Sequence, residues 1–102
     1  MEKRFDEIVV QCVGDGLEML GSDGKSVVLW LWQTKSGHAD SEIASHIMEF
    51  SKLLNETFGM GAVIIESHIA EEIRRVFGLN LEFSDLNSAV QMARQKFDSE
   101  GK

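Results

Sequence analysis

The chain is 102 residues long, 43% hydrophobic, 26% charged and 8% aromatic, and its 17 acidic against 10 basic side chains leave a net charge of −7. That length and composition suit one soluble domain, residues 1–102, able to bury a core without metal or disulfide staples. The longest apolar run, Val27 to Trp32, is six residues, against the roughly 20 a membrane helix needs. The acidic balance opposes binding to a phosphate backbone. The opening Met-Glu-Lys-Arg-Phe-Asp-Glu has no apolar signal segment, and the one cysteine, Cys12, cannot close an internal disulfide. A reducing, cytoplasmic setting is therefore expected.

Proline is absent, so glycine is the main punctuation. From Lys3 to Leu20, the apolar residues Phe5, Ile8, Val9, Cys12, Val13, Leu17 and Leu20 recur at helical spacing. Gly14 and Gly16 weaken that helix by about 1 kcal/mol each relative to alanine, which suggests a kink or the close approach of a second helix. Gly21 to Gly24 reads as a turn. From Lys25 to Ser36 the residues Val27 to Trp32 are apolar on every side, which suits a buried strand or a short central helix. A third segment starts near Asp40, a good N-cap, and carries Ile43, Ile47, Phe50, Leu53, Leu54 and Phe58 to a stop at Gly59. A fourth runs from Met60 to Phe77 with Ala62, Ile65, Ile69, Ile73, Val76 and Phe77 on one face, and Gly78-Leu79 reads as its left-handed cap. A fifth starts at Ser84 or Asp85 and buries Leu86, Ala89, Val90, Ala93 and Phe97. Residues 98–102 read as a frayed polar tail. The expected fold is all-α, a compact bundle of about five helices. The alternative is α+β, with 27–32 as a strand.

Phe58-Gly59-Met60-Gly61-Ala62, continued by Val63-Ile64-Ile65-Glu66, Ile69, Glu72-Ile73 and Phe77-Gly78-Leu79, resembles a small archaeal all-helical domain of the Nitrososphaera output type. The likeness spans about residues 5–97 and is sharpest over about twenty. It implies a helical module that acts as a signalling output or interaction unit, and it tips 27–32 towards helix. It carries over no catalytic residue. Where that family has a proline before its third helix, Ser41 to Met48 has none, which favours an earlier helix start.

Each chemical motif has a plain structural reading beside it. Gly24-Lys25-Ser26 lacks the glycine a phosphate loop needs five residues earlier, where Met19 stands, and no strand precedes it. Gly59-Met60-Gly61 opens a helix whose amides suit an anion, but its core-like neighbours favour a tight corner. His38, His46 and His68 form no close pair in sequence. His68 with Glu71 or Glu72 shares a helix face, and His46 approaches them if the third and fourth helices are antiparallel. A metal site needs three or four such ligands, so none is expected. Glu66 lies in an apolar stretch and, with His68, is the weak candidate for acid–base work. Cys12 reads as a buried, inert thiol. Arg74, Arg75, Arg94 and Lys96 are the concentrated cations, too few for a nucleic-acid footprint. Trp30 and Trp32, about 200° apart on a helix, cannot both face inward, so one belongs to an exposed patch.

No catalytic, cofactor-binding or metal constellation is visible. The leading expectation is a non-catalytic interaction or signal-output module, not an enzyme, whose partner is another protein or a second copy in a homodimer. The alternative is a small-ligand sensor with an apolar pocket lined by Trp30, Trp32, Ile64 and Ile65. A small enzyme using Glu66 and His68 comes third.

Overall fold

The computed structural model describes residues 2–80 and 85–100. Five α-helices follow in order: α1 (Glu2–Leu17), α2 (Gly21–Leu31), α3 (Ile47–Phe58), α4 (Ala62–Phe77) and α5 (Leu86–Glu100). A 3-10 turn, Glu18–Leu20, joins α1 to α2, and a π-helical turn, Trp32–Ser36, extends α2. A third short turn, Gly59–Gly61, joins α3 to α4. The helices thus form three bent, continuous runs rather than five separate rods. Among the described residues there is no strand, so 27–32 is helical. The α-carbon radius of gyration, 12.8 Å, matches the value of about 13 Å for a 100-residue domain. Among the described residues no helix is long and apolar enough to cross a membrane.

α1 and α4 lie antiparallel: Phe5 stacks at 5.5 Å on Phe77, the Cys12 thiol reaches the Glu72 carbonyl, and Gly16 faces Ile69. At Gly16 a Cβ would stand 2.7 Å from the Ile69 Cα and 2.9 Å from its amide nitrogen. Of the two readings for these glycines, close helix approach is therefore the one realised at Gly16. Val9, Val13 and Leu17 on α1 meet Ile65, Ile69 and Ile73 on α4 in one apolar core. Phe97 of α5 completes the end of that core at 5.3 Å from Phe5.

Several boundaries differ from the sequence reading. Only Gly21 of the expected 21–24 turn is outside helical geometry, with φ +80°, and Ser22 to Gly24 begin α2. The third helix starts at Ile47 and not near Asp40, because Asp40–Glu42 is a 3-10 turn and His46 (φ −125°, ψ 42°) breaks the run. Glu42 caps that turn from within: its carboxylate accepts the Ala39 N–H at 2.7 Å. Gly78 is left-handed (φ +67°), and the Leu79 N–H reaches back to the Arg74 carbonyl at 2.9 Å, which is the cap expected there. Asp85 caps α5 by accepting the Ser88 N–H at 2.7 Å, and that bond holds its carboxyl below the ordinary range; Ser84 lies outside the described residues. α5 continues to Glu100, so 98–100 are helical, and 101–102 lie outside the described residues.

Gly16→Ala forces α1 and α4 apart and is expected to cost about 1–3 kcal/mol in urea unfolding. Gly61→Ala is the control. Gly61 is helical, and its added Cβ meets only the Phe58 Cβ at 3.8 Å, so it is expected to be neutral or to stabilise by about 0.5 kcal/mol.

Candidate functional site

Two surface features among the described residues bear on function. The first is apolar. Trp30 and Trp32 separate as helical geometry requires: Trp32 is fully buried, while Trp30 is 61% exposed and Val27, one turn earlier on the same face, is 52% exposed. Met60, Val63 and Ile64 are exposed at the start of α4, again spaced to share a face. Of the four residues expected to line one pocket, Trp32 and Ile65 are in the core and Trp30 and Ile64 face solvent. Trp32 alone of them borders a cavity of about 200 Å³, beside Lys35, Ser36, Glu49, Lys52, Leu53 and Glu56.

The second feature is a histidine cluster beside that cavity. The π-helical turn adds a residue to the end of α2, and its freed carbonyls are taken up locally. The Thr34 hydroxyl donates to the Trp30 carbonyl at 2.9 Å, and the Ser36 hydroxyl donates to the Trp32 carbonyl. Gly37, left-handed at φ +77°, then turns the chain back. The Trp32 indole N–H donates to the Ala39 carbonyl at 2.9 Å, and the Ser36 hydroxyl accepts the His38 N–H at 3.1 Å. This places the His38 ring on the His46 ring, centroids 3.9 Å apart and planes within 13°. Glu49, one turn into α3, brings Oε1 to 3.4 Å from His38 Nε2 and 3.8 Å from His46 Nδ1. Glu42 faces His38 Nδ1 at 3.7 Å. One donor atom from each of His38, His46 and Glu49 lies within 4.8 Å of the other two.

Two expectations about the histidines change. His38 and His46 do form a close pair, although seven residues stand between them, and His46 meets His38 and Glu49 instead of His68, which is exposed on α4. Sequence reasoning missed this grouping. The available signal was weak: a helix-stopping glycine at 37 flanked by His38, and His46 with Glu49 at i,i+3.

Most of the remaining candidates are engaged in local contacts. Glu66 ties α4 to α3, accepting from the Ser51 hydroxyl at 2.9 Å and the Asn55 amide at 3.0 Å. Glu66 and His68 are two residues apart on one helix and do not face each other. Lys25 pairs with Glu18 at 2.8 Å. Arg74 pairs with Glu71 and Arg75 with Glu72, and the Arg74 hydrogen bond lowers the Glu71 pKa. Arg94 lies over the Phe5 ring, 4.5 Å from its centroid, and 3.7 Å from Asp6. Lys96 donates to the Gly78 carbonyl at 3.0 Å. The Gly59-Met60-Gly61 corner is set by Gly59, whose φ of +56° and ψ of −127° suit glycine. Comparison with protein families, with curated proteins and with solved structures finds no match for this chain.

Cys12 is buried, and burial, followed by the charges of Glu72 and Asp15, pushes its thiol up to about 11. Ellman's reagent at pH 8 is expected to leave it unmodified until denaturant is added, because very little thiolate forms. The raised pKa also contributes stability that is fully present below about pH 9 and lost as pH rises through about 11. Urea midpoints measured across that range are expected to fall less steeply in Cys12→Ala.

Proposed function

We propose that this chain is a non-catalytic helical interaction module of the signal-output kind, docking through the outer face of α2, with a second copy of itself as the first occupant. The observation that carries this reading is Trp30, a large aromatic left 61% exposed, with Val27 at 52% beside it. Burying the two side chains against a partner is worth about 1.5–3 kcal/mol each, and tryptophan is the residue type most enriched where binding energy concentrates. The resemblance of residues 58–79 to the archaeal output domains supports a regulatory partner, and the single cysteine, Cys12, suits a reducing, cytoplasmic setting.

A smaller observation favours a sensor as the second reading. The cavity beside Trp32 combines an aromatic wall with Lys35, Lys52, Glu49 and Glu56. Its volume of about 200 Å³ is below the roughly 300–1,000 Å³ of pockets for drug-sized ligands, so it suits a small charged molecule. A thermal-shift screen with small charged metabolites tests this, since a specific binder raises the melting temperature by mass action.

For the leading reading, sedimentation of the wild type from low to high micromolar concentration is expected to show reversible association. Trp30→Ala is expected to weaken that association at least tenfold while its melting temperature stays within a few degrees of the wild type. A clean monomer at high micromolar concentration rules out the second copy as occupant.

A further inference from the structure

We propose that His38, His46 and Glu49 bind a divalent transition cation of the zinc class, with Glu42 supplying further negative charge beside His38. Two imidazoles and one carboxylate are a donor set that zinc takes in sites that keep a further position for water, and imidazole also suits copper and nickel. The spacing is close to what such an ion needs. Ligands about 2.0–2.1 Å from a tetrahedral ion lie about 3.3 Å from one another. His38 Nε2 and Glu49 Oε1 already stand 3.4 Å apart, and no pair in the trio exceeds 4.8 Å.

The residual closing is within reach of side-chain rotation. Both histidine side chains are partly exposed, 27% for His38 and 39% for His46. The stacked rings have to unstack for one nitrogen of each to face a shared ion, a change open to partly exposed side chains. The backbone beneath does not have to move. His38 is held by its own N–H on the Ser36 hydroxyl and by the Trp32–Ala39 bond on its other side. His46 and Glu49 sit at the N-terminal boundary and in the first turn of one helix, three residues apart.

The position of Glu42 gives the second reason. It faces Nδ1 of His38 while Glu49 faces Nε2. The Glu42 Oε1 accepts the Ala39 N–H and stands 3.7 Å from His38 Nδ1, beyond hydrogen-bond length. Glu42 therefore adds negative charge beside the ring, and becomes the carboxylate that usually backs a histidine ligand only when its side chain turns closer. The competing reading is that the two histidines pair with the two glutamates only when protonated. That reading provides no saturable uptake of a metal ion.

The site joins the 37–39 connection to the start of α3, so an ion there stabilises the folded chain by mass action. The test is titration of the 102-residue chain with zinc chloride by calorimetry, by thermal denaturation, and by NMR of the histidine ring protons and nitrogens. One zinc per chain is expected, with a rise in melting temperature and the His38 and His46 ring signals shifting together while those of His68 stay in place. His38→Ala, His46→Ala and Glu49→Gln are each expected to weaken binding at least tenfold, Glu42→Gln a few-fold, and His68→Ala not at all. Absence of saturable uptake by the wild type overturns the proposal. So does uptake undiminished in His38→Ala and His46→Ala, or perturbation of all three histidines alike. The NMR readout on the wild-type chain decides the matter even if a variant folds poorly.

Discussion

The molecule is organised by the contact between Gly16 and Ile69. A backbone-to-backbone approach this close is open only to glycine, and it fixes the register of the antiparallel α1–α4 pair from Phe5–Phe77 at one end to Gly16–Ile69 at the other. The approach has a helix-propensity cost of about 1 kcal/mol against alanine, offset by the branched side chains it brings together on both sides. Val13 and Leu17 on one helix and Ile65, Ile69 and Ile73 on the other are each 2% exposed or less. α5 packs on α4, buries the small residues Ala89 and Ala93, and reaches α1 through Phe97 and Arg94 at Phe5. α3 reaches α4 through a polar link, Glu66 to Ser51 and Asn55.

Much of this was legible from residue spacing. The apolar stripe of α4 places Ala62, Ile65, Ile69 and Ile73 in the core as observed, because a 3.6-residue period holds along a regular helix, but at its end Phe77 is only partly buried and Val76 is 47% exposed. The rule that two residues two apart face different ways separates Trp30 from Trp32 without any structure. Glycine marked the helix ends at 59 and 78 for the same local reason, since the backbone conformation required there is one that other residues rarely adopt. The bundle's division into three bent runs was not legible. The 3-10 turns preserve the look of a helical sequence, while single glycines, Gly21 and Gly59, leave helical geometry and turn the chain.

The histidine cluster was hidden for a related reason. Its geometry depends on a π-helical turn at Trp32–Ser36, and no periodicity announces one added residue in a turn. Extrapolating α2 with a regular period does not place His38 on His46. The same turn moves the start of α3: residues 40–46 are used to bring the chain back from the end of α2, and regular helix resumes only at Ile47. Asp40, a sound N-cap by composition, is taken instead by the Gln33 side chain at 3.0 Å. The absence of proline between 41 and 48 therefore did not lengthen α3. Backbone freedom there was used for the turn that assembles the cluster.

Trp32 is the element shared by the two surface features. Its ring packs edge-on against Phe50 of α3 at 5.5 Å, lies 5.5 Å from His38, and fixes the connection through the Ala39 carbonyl. Two residues earlier on the same helix, Trp30 faces outward. The outer face of α2 offers apolar area, whereas the cluster offers lone pairs and negative charge, so the two differ in the chemistry they suit. Because the helix between them is continuous and Trp32 is fully enclosed, an influence of one on the other has to move Trp32 against Phe50. Close-packed cores resist small displacements of this kind and yield only by repacking. The structure thus keeps its apolar face and its histidine cluster mechanically separate unless α2 and α3 shift as a pair.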